Sequence, residues 1–204
     1  MALNRQSLQS ANIDPAVKAI LFELLDVNSA GTPNGSTVVA HEAGVGGVHK
    51  TTLVCSATPI SVSDDAGVAQ YGGVKVYDFP AGLILVLGAV IDGALTGYAS
   101  LIDTFDGDVA IGTATATTGA TLTGTESDIL QSTALTQAVG EVAVADAVTV
   151  ATALTESGAR HLDGTTTPID AFLNFVIDDN AAHGAGTATF TGTITLTWMN
   201  LGDK

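Results

Sequence analysis

The sequence predicts an all-β sandwich, and three observations support it. Apolar or alternating runs of strand length recur between Gly- and Asp-containing turns, with no rhythm of alternating strands and helices. The apolar mass is Val, Ile, Leu and Ala: hydrophobic residues make up 46% of the chain but aromatics only 5%, a composition suited to closely packed sheets. The body is also nearly free of cations, since the next basic residue after Lys75 is Arg160 and the last is Lys204. A chain of 204 residues can form one such domain without a metal or disulfide staple.

The N-terminal elements come first. Residues 1–12 are polar and read as an arm without a core of its own. A helix signal follows: Asn12 or Asp14 can cap, Pro15 suits the first turn, and Val17, Ile20, Leu21, Leu24 and Leu25 fall on one face. This helix either covers one end of the sandwich or packs on a neighbouring subunit. In the second case Leu21, Phe22 and Leu24 are the partner-binding anchors. Residues 28–50, rich in glycine, read as a loop or contact segment. The expected division is therefore an arm with helix and Gly-rich loop over 1–50 and a β-sandwich over 51–204.

The strands are expected from Thr51 onward. Leu53 to Val62 contains Pro59, which points to an edge or a bulge. Val74 to Phe79 alternates with period two, and Pro80-Ala81-Gly82 turns the chain. Leu83 to Ile91 is continuously apolar and is expected to be covered on both faces. Asp92-Gly93 reads as a turn. The window 81–102 is long enough for a bilayer, but its glycines, the central Asp92 and the lack of flanking cations argue against a membrane span. Gly97–Ile102 and Asp108–Thr117 follow as strands. Leu122–Val139 is ambiguous, with a capped single helical turn near Thr125–Leu130. Glu141–Leu154 alternates, Ala171–Ile177 is a core strand, and Thr187–Trp198 alternates Thr with apolar residues and closes the domain.

The formal net charge of −15 disfavours nucleic-acid and anionic-lipid partners and favours a basic or neutral protein surface. Cys55 stands alone among apolar neighbours and reads as a small buried hydrophobe. His41, His49, His161 and His183 lack ligand spacing, and the first two are expected to be solvated loop histidines. Asp103, Asp106 and Asp108, with Gly107, form a candidate calcium loop, against which stands a turn whose carboxylates bond their own backbone. There is no GxSxG elbow, phosphate-binding glycine loop or spaced aromatic platform. No catalytic residue and no cofactor are expected, and Trp198 is expected in the core.

Several segments carry a resemblance. Lys75-Val76-Tyr77-Asp78-Phe79-Pro80 with Leu83-Ile84-Leu85-Val86-Leu87-Gly88, Phe105-Asp106-Gly107-Asp108, and Asp128-Ile129 with Ser132-Thr133-Ala134 belong to it. So do His161-Leu162-Asp163-Gly164-Thr165, Phe172-Leu173-Asn174 and the ending Gly192-Thr193-Ile194-Thr195-Leu196-Thr197-Trp198. Together, from about Val45 to the C-terminus, they resemble small virion proteins of tailed bacteriophages. The resemblance implies a jelly-roll-like capsid decoration (cement) protein, often trimeric, bound to the major capsid protein on the head exterior. A tail-tube, connector or receptor-binding module is the alternative, and a hydrolase has least support.

Overall fold

Alternation of inward apolar and outward polar side chains builds strands along most of the described chain. The computed structural model describes residues 14–15, 17, 30–45, 47–65, 69–96, 104–119, 121–138, 141–148, 161–177 and 185–202. The strands are β1 (Thr32–Pro33), β2 (Val38–Val45), β3 (Val48–Asp65), β4 (Ala69–Asp78), β5 (Gly82–Thr96) and β6 (Thr104–Gly112). After a 3-10 turn (Gly124–Glu126) come β7 (Leu130–Ala138), β8 (Glu141–Val148), β9 (His161–Gly164), β10 (Asp170–Ile177) and β11 (Gly186–Asn200). The fold is all-β, as the sequence predicts.

The strands form one curled antiparallel sheet in the order β7-β6-β10-β4-β3-β11-β5-β8, with β1 on β4, β2 on β3 and β9 on β5. Its inner surface is the core. Phe190, Ile194, Leu196 and Trp198 of β11 meet Ile84, Val86, Ile91 and Leu95 of β5, with Leu53 and Ile60 of β3 and Phe175 of β10. Expected core strand Ala171–Ile177 lies in β10, between β4 and β6. The last strand, β11, does not close an edge. It lies centrally, between β3 and β5.

Strand β3 is 18 residues long and carries one bulge against β11. Phe190 pairs with Thr58 and Gly192 with Cys55, so Ser56 and Ala57 together face Thr191. Ala57 has φ +50°, and its N–H donates to Thr191 Oγ1 at 3.1 Å. The bulge re-aims the strand. Before it β3 pairs with β2, and from Val62 it pairs with β4. Pro59, paired with Thr189 of β11, falls in the gap between those two neighbours on the other side. Of the edge or bulge expected at Pro59, the bulge is present at Ser56–Ala57, whereas β3 itself lies inside the sheet between β4 and β11.

Three expectations are corrected. Residues 28–50 are not a loop from end to end: they contain β1, β2 and the start of β3, so paired strands begin at Thr32 rather than Thr51. Here the glycines serve a hairpin. Gly47, at φ +76°, lies in the tight connection that sets Val45 opposite Val48. Asp92-Gly93 is not a turn either. Both sit within the continuous β5, where the register against β8 slips between Ile91 and Gly93. Finally, β5 is not evenly covered on both faces: Ile84, Val86, Ala89 and Ile91 are buried, whereas on the other face Leu83 and Leu85 are half-buried and Leu87 and Val90 are exposed.

At the N-terminus, Asp14 Oδ1 accepts from Val17 N–H at 3.4 Å, and Pro15 and Val17 are helical. This is the cap read from the sequence. The rest of that helix, the expected strand at 97–102 and the continuation of β8 to 154 lie outside the described residues.

Candidate functional site

The densest polar cluster is built by strands that alternation brings face to face. Glu42 of β2 is the Cα partner of Thr51 of β3, and His49 of β3 is the partner of Trp198 of β11. Thr51 Oγ1 donates to Glu42 Oε1 at 2.6 Å, and Tyr77 OH donates to the same oxygen at 2.8 Å. Trp198 Nε1–H donates to Thr51 Oγ1 at 2.8 Å, and Gly31 N–H donates to Tyr77 OH at 2.8 Å. The imidazole of His49 stacks on the Trp198 indole at 4.0 Å and 9°, with Nδ1 3.7 Å from Glu42 Oε2. Phe79 meets both Tyr77 and Trp198 edge-on.

Acid, imidazole, phenol and hydroxyl are therefore gathered, but each is turned toward a neighbour. Burial pushes the Tyr77 phenol well above its ordinary range, so it remains a proton donor to Glu42 at physiological pH. Thr51 is fully buried. The cluster ties β2, β3, β4, β11 and the chain at Gly31 together. The sequence predicts a solvated loop histidine at His49, but the residue is buried, because β3 begins at Val48 and turns it inward. The alternation Val38, Ala40, Glu42 was the signal that could have found the cluster.

A second polar group pins the connection between β6 and β7. Asn174, fully buried on β10, accepts from Ala116 N–H at 2.9 Å and donates to Ala114 O at 2.8 Å and Glu126 O at 2.9 Å. Glu126 accepts from Thr117 N–H at 3.2 Å and Thr123 N–H at 3.5 Å, the latter closing the 3-10 turn near where a capped turn was expected. Asp128 accepts from Thr113 N–H at 2.8 Å and from Thr113 Oγ1 at 2.7 Å. Burial raises the Asp128 pKa despite those bonds. The exposed side chains of Thr115, Thr117, Thr121 and Thr125 rim a shallow polar hollow here.

The sequence-derived candidates fare differently. Asp106 and Asp108 belong to strand β6, opposite Thr136 and Ala134, rather than to a turn. Asp103 lies outside the described residues, as do Leu21, Phe22, Leu24 and His183. Among the described residues no three His, Cys, Asp or Glu side chains gather as a metal set. His41 and His161 are exposed on separate strands. Cys55 is buried, and burial pushes its thiol up to about 11, as suits a core residue rather than a nucleophile. Trp198 is in the core as expected.

The outer face of β2, β3, β11 and β5 is the other distinctive surface. Cross-strand rows run Val39–Val54–Thr193–Asp92, His41–Thr52–Thr195–Val90, then Lys50–Thr197–Gly88 and Val48–Met199–Leu85. Leu201, whose N–H donates to Leu83 O at 2.8 Å, extends the face. In these rows the formal charges are Lys50 and Asp92, on a chain of net charge −15. Comparison with protein-family models gave no match, and comparison with curated proteins and with solved structures gave none that is significant.

Proposed function

We propose that this chain is a non-catalytic decoration protein of a tailed-phage virion, bound to the major capsid protein on the exterior of the head, where it bridges capsomers. Bridging adds interface area and raises the free energy needed to part a shell pressed outward by packaged DNA. The jelly-roll connectivity and the virion location are part of this reading and rest on the resemblance of the segments from Val45 onward.

The observation that supports it is how the polar side chains are used. Glu42, Tyr77, Thr51, Asn174 and Asp128 hold strands and loops in place, while the broad outer face is a neutral field of Thr and aliphatic side chains suited to protein contact. Attachment to the shell is assigned to the N-terminal segment, with Leu21, Phe22 and Leu24 as anchors.

The test is attachment. Purified protein is mixed with heads that lack it, and the particles are pelleted and imaged with a labelled antibody. The expected result is label on the head exterior, and loss of attachment on deletion of residues 1–26 with the β fold retained. Label on the tail would favour another virion part, and a truncated protein that unfolds would make the helix part of the core.

A further inference from the structure

The sequence of β5 is that of a strand buried on both faces, yet one face of it is open. Its run Leu83–Ile91 lacks the polar alternation typical of a strand with a solvated side. Among the described residues, the exposed large apolar side chains are Val17, Val39, Leu87, Val90 and Leu201. Val39, Leu87 and Val90 lie on the outer face of β2 and β5, and Leu201, just past the end of β11, borders it through its bond to Leu83. Exposed apolar groups concentrated on one face, rather than scattered singly, mark a contact surface.

We propose that this face is the self-association surface of the protein, covered by the same face of a second copy about a twofold axis. Charge selects that occupant. Two chains of net charge −15 repel, and they can approach most cheaply where the acids are fewest. The two formal charges in these rows are arranged self-complementarily about Thr195. Lys50 is the β3 partner of Thr197, two residues beyond Thr195; Asp92 is the β5 partner of Thr193, two residues before it. A twofold axis lying in the interface, passing over Thr195 and perpendicular to the line from Lys50 to Asp92, sets Lys50 of each copy against Asp92 of the other.

Area agrees with this choice. Strands about 4.8 Å apart and outward residues about 6.7 Å apart give four strands and four rows a projected face on the order of 500 Å². That approaches the roughly 600 Å² per partner of the smaller specific interfaces. An isologous flat face closes as a pair, which departs from the threefold assembly that the resemblance implies. The pairing does not depend on the decoration reading: a chain that pairs but never attaches to heads refutes only the latter.

The experiment is mass-calibrated light scattering of the full chain at high micromolar concentration, with circular dichroism and Trp198 fluorescence as checks on folding. The expected mass is twice 20.4 kDa. Leu87→Lys with Val90→Lys, at positions already exposed, is expected to give a folded chain of single mass. Lys50→Asp is expected to weaken the pair at least about tenfold, and Lys50→Asp with Asp92→Lys to restore it. A single or threefold mass for the unaltered chain, or a mass that the two lysines leave unchanged, would overturn the proposal. Failure of the charge swap to restore pairing would overturn the Thr195-centred arrangement.

Discussion

Trp198 donates its indole N–H to Thr51 Oγ1 across 2.8 Å and a sequence separation of 147 residues. Both residues are fully buried. This bond joins the beginning of β3 to the end of β11 and passes on, through the Thr51 hydroxyl, to Glu42 on the edge strand.

Thr51→Val keeps the shape and removes the hydroxyl. The Trp198 N–H then loses its acceptor inside the core, and Glu42 loses one of its two donors to Oε1. A destabilisation of about 1–3 kcal/mol is expected, since a buried unsatisfied donor carries its full desolvation cost. Urea denaturation followed by fluorescence reads this directly, because Trp198 is the chain's single tryptophan. An unchanged midpoint would show that the bond contributes nothing net.

Asn174→Ala removes three hydrogen bonds to backbone groups at once, those of Ala116, Ala114 and Glu126. The expected loss is about 2–4 kcal/mol, with selective loosening of residues 113–126. Limited proteolysis should therefore cut the variant first in that threonine-rich segment. Uniform cutting along the chain would contradict the pinning role.

Asp128 makes a signed prediction about pH. Burial raises its folded pKa above the ordinary 3.8. Its contribution to stability is thus fully present below the unfolded value and is lost as pH rises through the folded one. Asp128→Asn retains an acceptor for Thr113 N–H without the buried charge. The variant should match the unaltered chain near pH 3 and be at least as stable at pH 7, so the difference between them grows upward across that interval. Asp128→Ala should instead cost about 1–2 kcal/mol at both ends, because Thr113 N–H loses its partner. Paired denaturation curves at the two pH values decide.

Gly192 of β11 stands opposite Gly93 of β5. A Cβ on Gly192 would lie 2.2 Å from Asp92 O, and one on Gly93 would lie 2.5 Å from Thr191 O. Those contacts are backbone and cannot swing aside, so Gly192→Ala is expected to part β5 from β11 and to cost more than about 2 kcal/mol. The melting temperature should fall clearly, whereas Gly35→Ala, with open space around it but φ +77°, should fall less. Equal effects would sink the close-approach argument.

By itself the sequence determined what depends on neighbours in the chain. Period-two alternation fixes which side chains of β10 and β11 can share a face. Asp14 three residues before Val17 supplies a cap, and apolar surroundings at Cys55 and Trp198 direct both into the core. Whether a face is covered, and by what, is a long-range fact. The run Leu83–Ile91 reads alike with one face buried or two. Asp92-Gly93 reads as a turn until Gly192 is placed against it. The glycines of residues 28–50 suggest a linker until Val38–Val45 finds β3. The Glu42–Thr51 pair lies within one hairpin and alternation hints at it, but Tyr77 on Glu42, Trp198 on His49 and the loop that Asn174 holds come from strands remote in sequence, and no local pattern encodes those contacts.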